Sequence, residues 1–224
     1  MSESRPSDRR HRQHLSAPVT IDAGAGYHGC PMTNCSDDQL LRLAGRGDAS
    51  AFERLIERHG TRAFAIAARM TVTPSDAEDI VQEAFLRAWL KAPDWKAADD
   101  SPGRARFSTW FYRVLVNLCI DRHRRADPAA LDDAAAFTDD RPSAFDRVAD
   151  DEAAREIAAA ISRLPSRQRA ALTLCYYESM SNREAAAILN ASVKALESLL
   201  VRARRRLKED LASRLRPALE ENGE

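Results

Sequence analysis

SNREAAAILNASVKALESLLVRARRRL, residues Ser181 to Leu207, reads as two helices separated by a tight break. Ser181 followed by Glu184 is a capping box. The serine hydroxyl accepts from the backbone three residues on, and the glutamate reaches back to the serine N–H. Ala185, Ala186, Ile188 and Leu189 give the first helix a short apolar face. Asn190 tolerates the left-handed conformation that ends a helix, and Ser192 is placed to cap the next. Val193, Leu196, Leu200, Ala203 and Leu207 then recur at spacings of three and four, which predicts one buried stripe along a longer helix. Lys194, Arg202, Arg204, Arg205, Arg206 and Lys208 lie mostly off that stripe.

A short helix, a tight turn and a longer basic helix make a helix-turn-helix pattern. In such motifs the start of the second helix faces base edges in the major groove. Ser192, Lys194, Glu197 and Ser198 suit that position, and arginines further along, Arg202 and Arg206 among them, suit phosphates. The competing reading is an ordinary helical hairpin with a solvated basic face.

Upstream, Ala153, Ile157, Ala160, Ile161 and Leu164 share one helical face. A break at Leu164-Pro165-Ser166 restarts a helix that leads into the motif. Asp127 to Asp150 is a change of composition, acidic and carrying Pro128 and Pro142. It reads as a linker between two domains, extended by like-charge repulsion.

Before the linker, FSTWFYRVLVNLCIDRHRR predicts a helix with two faces. Phe111, Val114, Leu115 and Leu118 point to a core. Trp110, Arg113, Asn117, Asp121 and Arg124 fall together on another side, with Tyr112 and Arg125 nearby. Rings stack on unpaired bases and cations hold the backbone, so this composition suits single-stranded nucleic acid. Trp110 and Tyr112 suit a core equally well. Ala92 to Arg106 reads as a loop, and Trp95 within it needs either a core to plug or a base to stack on.

Thr73-Pro74 opens the preceding helix, with proline where a missing N–H does no harm. Ala77, Ile80, Val81, Ala84, Phe85, Ala88 and Trp89 form its buried stripe, and Asp76, Asp79, Gln82 and Glu83 an adjoining acidic strip. That strip suits a basic partner surface, or is simply a solvated face. Asp48 caps a helix running to about Met70, with Phe52, Leu55, Ile56, His59, Ala63, Phe64, Ile66 and Ala67 on its apolar side and His59 in a structural role. Ser36 with Gln39 is a further capping box.

Residues 1–35 have no apolar period and read as a disordered leader. His28, Cys30 and Cys35 at its end match no zinc spacing, although a metal or redox role would use them. The 224 residues carry 34 basic and 34 acidic side chains, so any attraction to nucleic acid arises from local segregation of charge. There is no apolar run long enough to span a membrane and no signal peptide, and four scattered cysteines point to the reducing cytoplasm. No nucleophile–base pair, phosphate loop or metal cluster is visible, so an enzyme and a bound cofactor are not expected.

The fold class predicted is all-α: two small helical domains, 36–126 and 151–213, joined by the acidic linker 127–150 and followed by a tail, 214–224. In their order, four stretches resemble the extracytoplasmic function group of the sigma-70 family. These are Asp48-Ala49-Ser50-Ala51-Phe52, DAEDIVQEAFLRAW (Asp76 to Trp89), STWFYRVLVNLCIDRHRR (Ser108 to Arg125), and LPSRQRAALTL with the helix-turn-helix (Leu164 to Leu207). The resemblance covers about residues 37 to 212.

The resemblance implies core RNA polymerase and promoter DNA as partners, with an anti-sigma factor holding the protein inactive until a stress signal. It places Asp76, Asp79, Gln82, Glu83 and Phe85 on the polymerase. It places Trp110, Tyr112, Arg113, Asn117, Arg124 and Arg125 on the melted minus-10 strand, with Trp95 beside a flipped base. It places Ser192, Lys194, Glu197, Ser198, Arg202 and Arg206 on the minus-35 element. The alternative is a helix-turn-helix regulator that binds duplex DNA without joining polymerase. Such a regulator has no need of the DAEDIVQEAF helix or the aromatic–basic helix.

Overall fold

The computed structural model describes residues 35–96, 106–126 and 152–220. The leader with His28 and Cys30, the middle of the Ala92–Arg106 loop and the acidic linker lie outside the described residues. The described chain is helical, with no strand among those residues: α1 (Asp37–Ala44), α2 (Ala49–Met70), α3 (Pro74–Lys91), a single 3-10 turn (Ala92–Asp94), α4 (Phe107–Ala126), α5 (Glu152–Ser162), α6 (Ser166–Leu172), a π-helical turn (Thr173–Tyr177), α7 (Asn182–Ile188) and α8 (Val193–Glu220).

The helix starts follow their side chains. Ser36 Oγ accepts from the Gln39 N–H at 3.2 Å while Gln39 Oε1 accepts from the Ser36 N–H at 2.8 Å. Asp48 accepts from the Ala51 N–H, and Thr73 from the Asp76 N–H with Pro74 in the first turn. Each contact satisfies a donor that the helix itself leaves unpaired, worth about 1 kcal/mol at an N-cap. Gly45 ends α1 against the chain leaving α3. A Cβ there would stand 2.3 Å from the Ala92 carbonyl oxygen, so the close approach of two backbones requires glycine.

α1–α4 form the first module around an aromatic interior. Phe85 lies 4.7 Å from Phe111, which stacks on Phe107 at 5.5 Å, and Phe52 meets Phe85 and Trp89 edge-on. Leu40, Leu41, Leu55, Ile66 and Leu115 are fully enclosed around these rings. His59 is buried among them. Its Nε2 lies 2.8 Å from Asp37 Oδ2 and its Nδ1 3.0 Å from the Tyr112 hydroxyl. One neutral tautomer satisfies both, donating to Asp37 and accepting from Tyr112. The hydrogen bond from His59, assisted by Arg58 against the opposing effect of burial, holds the Asp37 carboxyl below its ordinary pKa. The structural role expected of His59 is the one it has.

α5–α8 form the second module. Ile161, Leu164, Leu172 and Ala203 make a small cluster of their own, flanked by Leu207. The rest of its interior, including Ala170, Leu174, Ile188, Leu196 and Leu200, is continuous with the core of the first module. Arg169 is almost fully buried at this junction. It donates to the carbonyls of Ser162, Leu164 and Met70. Such a buried guanidinium is tolerated because carbonyls surround it.

Several predicted core positions differ. Ile56 and Phe64 are about two-fifths exposed, because α1, α3 and α4 cover a narrower arc of α2 than the run of apolar residues suggested. Trp89 is similarly exposed, with its ring held edge-on to Phe52. Val193 is also exposed, since it opens α8 before that helix reaches the core. Cys119 is buried, its thiol pushed up to about 12 by burial, and Cys175 is half-buried.

Candidate nucleic-acid interface

The helix-turn-helix is built from α7 and α8. Ser181 Oγ accepts from the Glu184 N–H and Glu184 Oε2 accepts from the Ser181 N–H, so the box forms with both bonds. These bonds to Ser181 hold the exposed Glu184 carboxyl below its usual range. Asn190 takes φ 50°, the left-handed geometry anticipated for the turn. Ser192 Oγ then accepts from the Ala195 N–H at 3.1 Å and starts α8. Lys194, Glu197 and Arg202 point to solvent. Ser198 is half-buried and donates to the Lys194 carbonyl at 2.9 Å. Arg206 is half-buried at the far end of the group.

Ser192, Lys194, Ser198 and Arg202 line one open concavity of about 430 Å³, and Arg167 of α6 lines it too. Arg167 is anchored by donating to the Leu189 carbonyl at 3.2 Å. Sequence reasoning did not single it out. Its signal was the paired basic residues of LPSRQR, at the head of the stretch that carries the resemblance through the helix-turn-helix.

On α4 the aromatic–basic face divides. Asn117, Arg124 and Arg125 are exposed, with Arg124 3.4 Å from Asp121. Trp110 is half-buried between Trp95 and Phe107. Tyr112, expected beside nucleic acid, is instead core. It is 3% exposed, bonded to His59, and its hydroxyl is pushed up to about 12 by burial. It lies one residue from Phe111 and so turns with it into the aromatic interior. Arg113 is half-buried and donates to the Ala187 carbonyl of α7 at 2.6 and 3.2 Å.

Trp95 is a plug for the core. Its indole N–H donates to Asp38 Oδ1 at 2.9 Å and its ring meets Phe107 and Trp110. The same Asp38 carboxylate accepts from the Phe107 N–H at 3.3 Å and caps the start of α4. Of the two partners that the sequence left open for Trp95, this geometry uses the core.

The acidic strip of α3 is on the surface with Asp79, Gln82 and Glu83 accessible to partners. Asp76 and Asp79 each lie 3.3 Å from Arg122, and Glu83 pairs with Arg87 at 2.8 Å. These pairs face solvent, so they are weak and exchangeable. Phe85, expected to contact a partner, is 7% exposed and packed on Phe111 and Phe52. It belongs to the buried stripe and cannot present its ring outward. The apolar groups that do stand beside Gln82 and Glu83 are Leu86 and Leu90, 51% and 67% exposed. Their four-residue spacing off the buried stripe was the signal available in the sequence.

Cys35 is buried, and its carbonyl accepts from Arg58 at 2.8 Å. Among the described residues no group of three or more His, Cys, Asp or Glu side chains is placed to hold a metal.

The Sigma-70 region 2 model matches residues 55–128, and the Sigma-70, region 4 model matches residues 154–207. The chain is 36% identical over 179 residues to the RNA polymerase sigma factor NccH of Alcaligenes xylosoxydans xylosoxydans, covering 76% of this chain and 92% of that protein. It is 34% identical over 193 residues to the ECF RNA polymerase sigma factor SigM of Mycobacterium tuberculosis (strain ATCC 25618 / H37Rv), covering 86% and 92%. The solved structure of CnrH in complex with the cytosolic domain of CnrY superimposes with a TM-score of 0.55 at 31% identity, covering 79% of this chain and 97% of that one. The chain belongs to the sigma-70 family, in its extracytoplasmic function group of RNA polymerase sigma factors.

Proposed function

We propose that this chain joins core RNA polymerase and directs it to promoters through two readers. Residues 36–126 dock on polymerase and engage the melted minus-10 strand, and residues 151–213 read the minus-35 element. The observation that carries this is the pairing, in one chain, of a helix-turn-helix with an acidic helix whose outer face also bears Leu86 and Leu90. A regulator that acts alone on duplex DNA has no use for that second surface.

In this reading Asp76, Asp79, Gln82 and Glu83 offer charge to a basic polymerase surface, and Leu86 and Leu90 supply the apolar contact. Asn117, Arg124, Arg125 and Trp110 meet the unpaired strand, with Arg113 joining them once it leaves Ala187. Ser192, Lys194, Glu197 and Ser198 face base edges, while Arg167, Arg202 and Arg206 hold phosphates. The polymerase performs the chemistry, so this chain needs no nucleophile or cofactor. Among the described residues no helix is long and apolar enough to cross a membrane. The site of action is the cytoplasm, where polymerase and promoters are.

CnrH was solved with the cytosolic domain of CnrY. By that likeness this chain is held by an anti-sigma factor until a stress signal releases it.

The decisive experiment is binding to bacterial core polymerase followed by run-off transcription, comparing wild type with Asp79→Arg/Glu83→Arg. Reversing two charges on the docking face is expected to weaken binding by at least about a hundredfold and to abolish promoter-dependent transcripts. Specific binding of the wild type to duplex DNA with none to polymerase would overturn the reading.

A further inference from the structure

Lys194, Ser198, Val201 and Arg205 recur along α8 at spacings of four, three and four, so they form one stripe. It runs on the side of the helix opposite Leu196, Leu200 and Ala203, which are buried. Val201 is 62% exposed and is the one large apolar side chain on that stripe. An exposed valine is ordinary by itself. This one stands on the helix that faces base edges, one turn beyond Ser198. Its separation from Lys194 along the helix is about 10.5 Å at 1.5 Å per residue, or about three base-pair steps of 3.4 Å.

α8 presents this stripe as a ridge between two hollows. Ser192, Lys194, Ser198 and Arg202 line the first, together with Arg167. The second, about 350 Å³, is lined on the other flank of α8 by Glu197, Val201 and Arg204, and by Tyr176 and Asn182 from the residues before it. Arg204 donates to the Tyr176 hydroxyl, and its guanidinium lies 5.3 Å from the centre of the same ring. Each hollow therefore has its own anchored arginine: Arg167 on the Leu189 carbonyl in one and Arg204 on Tyr176 in the other.

A ridge with a cation fixed on either flank matches a major groove, which has two walls of phosphates and a floor of base edges. The arginines suit the walls. A valine on the crest suits the one apolar group that the floor offers, the C5 methyl of thymine.

We propose that Val201 reads a thymine methyl in the minus-35 element, and that Arg204, held by Tyr176, contacts the phosphate wall opposite the one held by Arg167 and Arg202. The inference rests on the promoter reading proposed above and names a base that the second module selects. Glu197 and Ser198 address hydrogen-bonding edges. Val201 separates thymine from uracil, which offers the same O4 acceptor without the methyl.

Holoenzyme made from the full chain and bacterial core polymerase tests this. It first selects its promoter from a pool randomised across the minus-35 element. Each thymine of the selected element is then replaced by uracil, one at a time, which removes one methyl and leaves base pairing intact. At one position the wild type should lose about fourfold in affinity, the worth of one apolar carbon. Val201→Ala should bind the thymine duplex at least about fourfold more weakly and show no further loss with uracil there. Alanine favours a helix more than valine does, so this variant keeps α8. A wild type with no uracil-sensitive thymine, or an equal uracil loss in Val201→Ala, overturns the methyl contact. Arg204→Gln should leave the selected sequence unchanged and reduce the slope of log affinity against log salt by about one. An unchanged slope overturns the phosphate contact. Holoenzyme that selects no sequence sinks the sigma reading. The same uracil series on a duplex selected by the full chain alone then decides Val201, and a chain that selects none overturns it as well.

Discussion

The two modules meet the same requirement, a buried interior for short helices, by different means. The first fills its centre with rings: Phe52, Phe85, Phe107, Phe111, Tyr112 and the inner side of Trp95, with His59, itself bonded to Asp37, pairing the buried Tyr112 hydroxyl. The second relies on alanine, leucine and isoleucine, and among the described residues only Ile161, Leu164, Leu172 and Ala203 form a cluster separate from its neighbour. Large rings bury much area per residue, so four helices suffice to surround them. Small side chains bury less, and the second module completes its interior against the first. A promoter-reading module that leans on its neighbour is one whose stability changes when the neighbour leaves.

The sharpest way to break this comparison is to hollow out each interior. Phe111→Ala should cost about 3–5 kcal/mol by chemical denaturation, and Leu172→Ala about 2–3 kcal/mol. Melting of the second module should follow the Phe111 variant down, while the Leu172 variant should leave the first module's transition in place. Two independent transitions in both variants would show that the shared core carries no coupling.

Acid provides a gentler contrast. Asp37 has a folded-state pKa below that of the unfolded chain, so its contribution is fully present above the unfolded value of about 4 and is lost as pH falls through the folded value. Stability of the first module should therefore fall on acidification, with a shallower fall in Asp37→Asn, measured by denaturation from pH 6 down to pH 3. An identical slope in the two proteins would remove Asp37 from the account.

The smallest expected effect compares the two capping boxes, since they are built alike and both are exposed. Ser36→Ala and Ser181→Ala should each cost about 1 kcal/mol. A much larger loss at Ser181 would mean that the second module depends on its local caps more than on the shared core.

The helix starts were legible because capping is local: Ser36, Asp48, Thr73, Ser181 and Ser192 each act on residues within three positions. The left-handed turn at Asn190 was legible for the same reason. What escaped the sequence depended on how much of a helix its neighbours cover. Periodicity marks an apolar side but not its width, so Ile56, Phe64 and Val193 were placed inside and are not. Phe85 and Tyr112 erred the other way: resemblance gave each a partner-facing role, and the turn of its helix buries it. Leu86, Leu90 and Arg167 stood in plain view, but only the packed structure shows which surface they share with the residues already suspected. The arginine contacts between modules join positions 74, 99 and 116 residues apart, beyond the reach of any local pattern.

Gly45 and Asp38 have a consequence for how this protein tolerates change. Gly45 presses α1 against the carbonyl of Ala92, and Asp38 holds both the Trp95 indole and the first N–H of α4. Both ends of the segment from 97 to 105 are thereby moored to α1, whatever lies between them. Lengthening a tethered loop adds little closure entropy, about 0.6 kcal/mol for each doubling. Insertions between positions 97 and 105 are therefore expected to leave the register of α1 and α4 unchanged, which the thermal midpoint of an insertion variant would check.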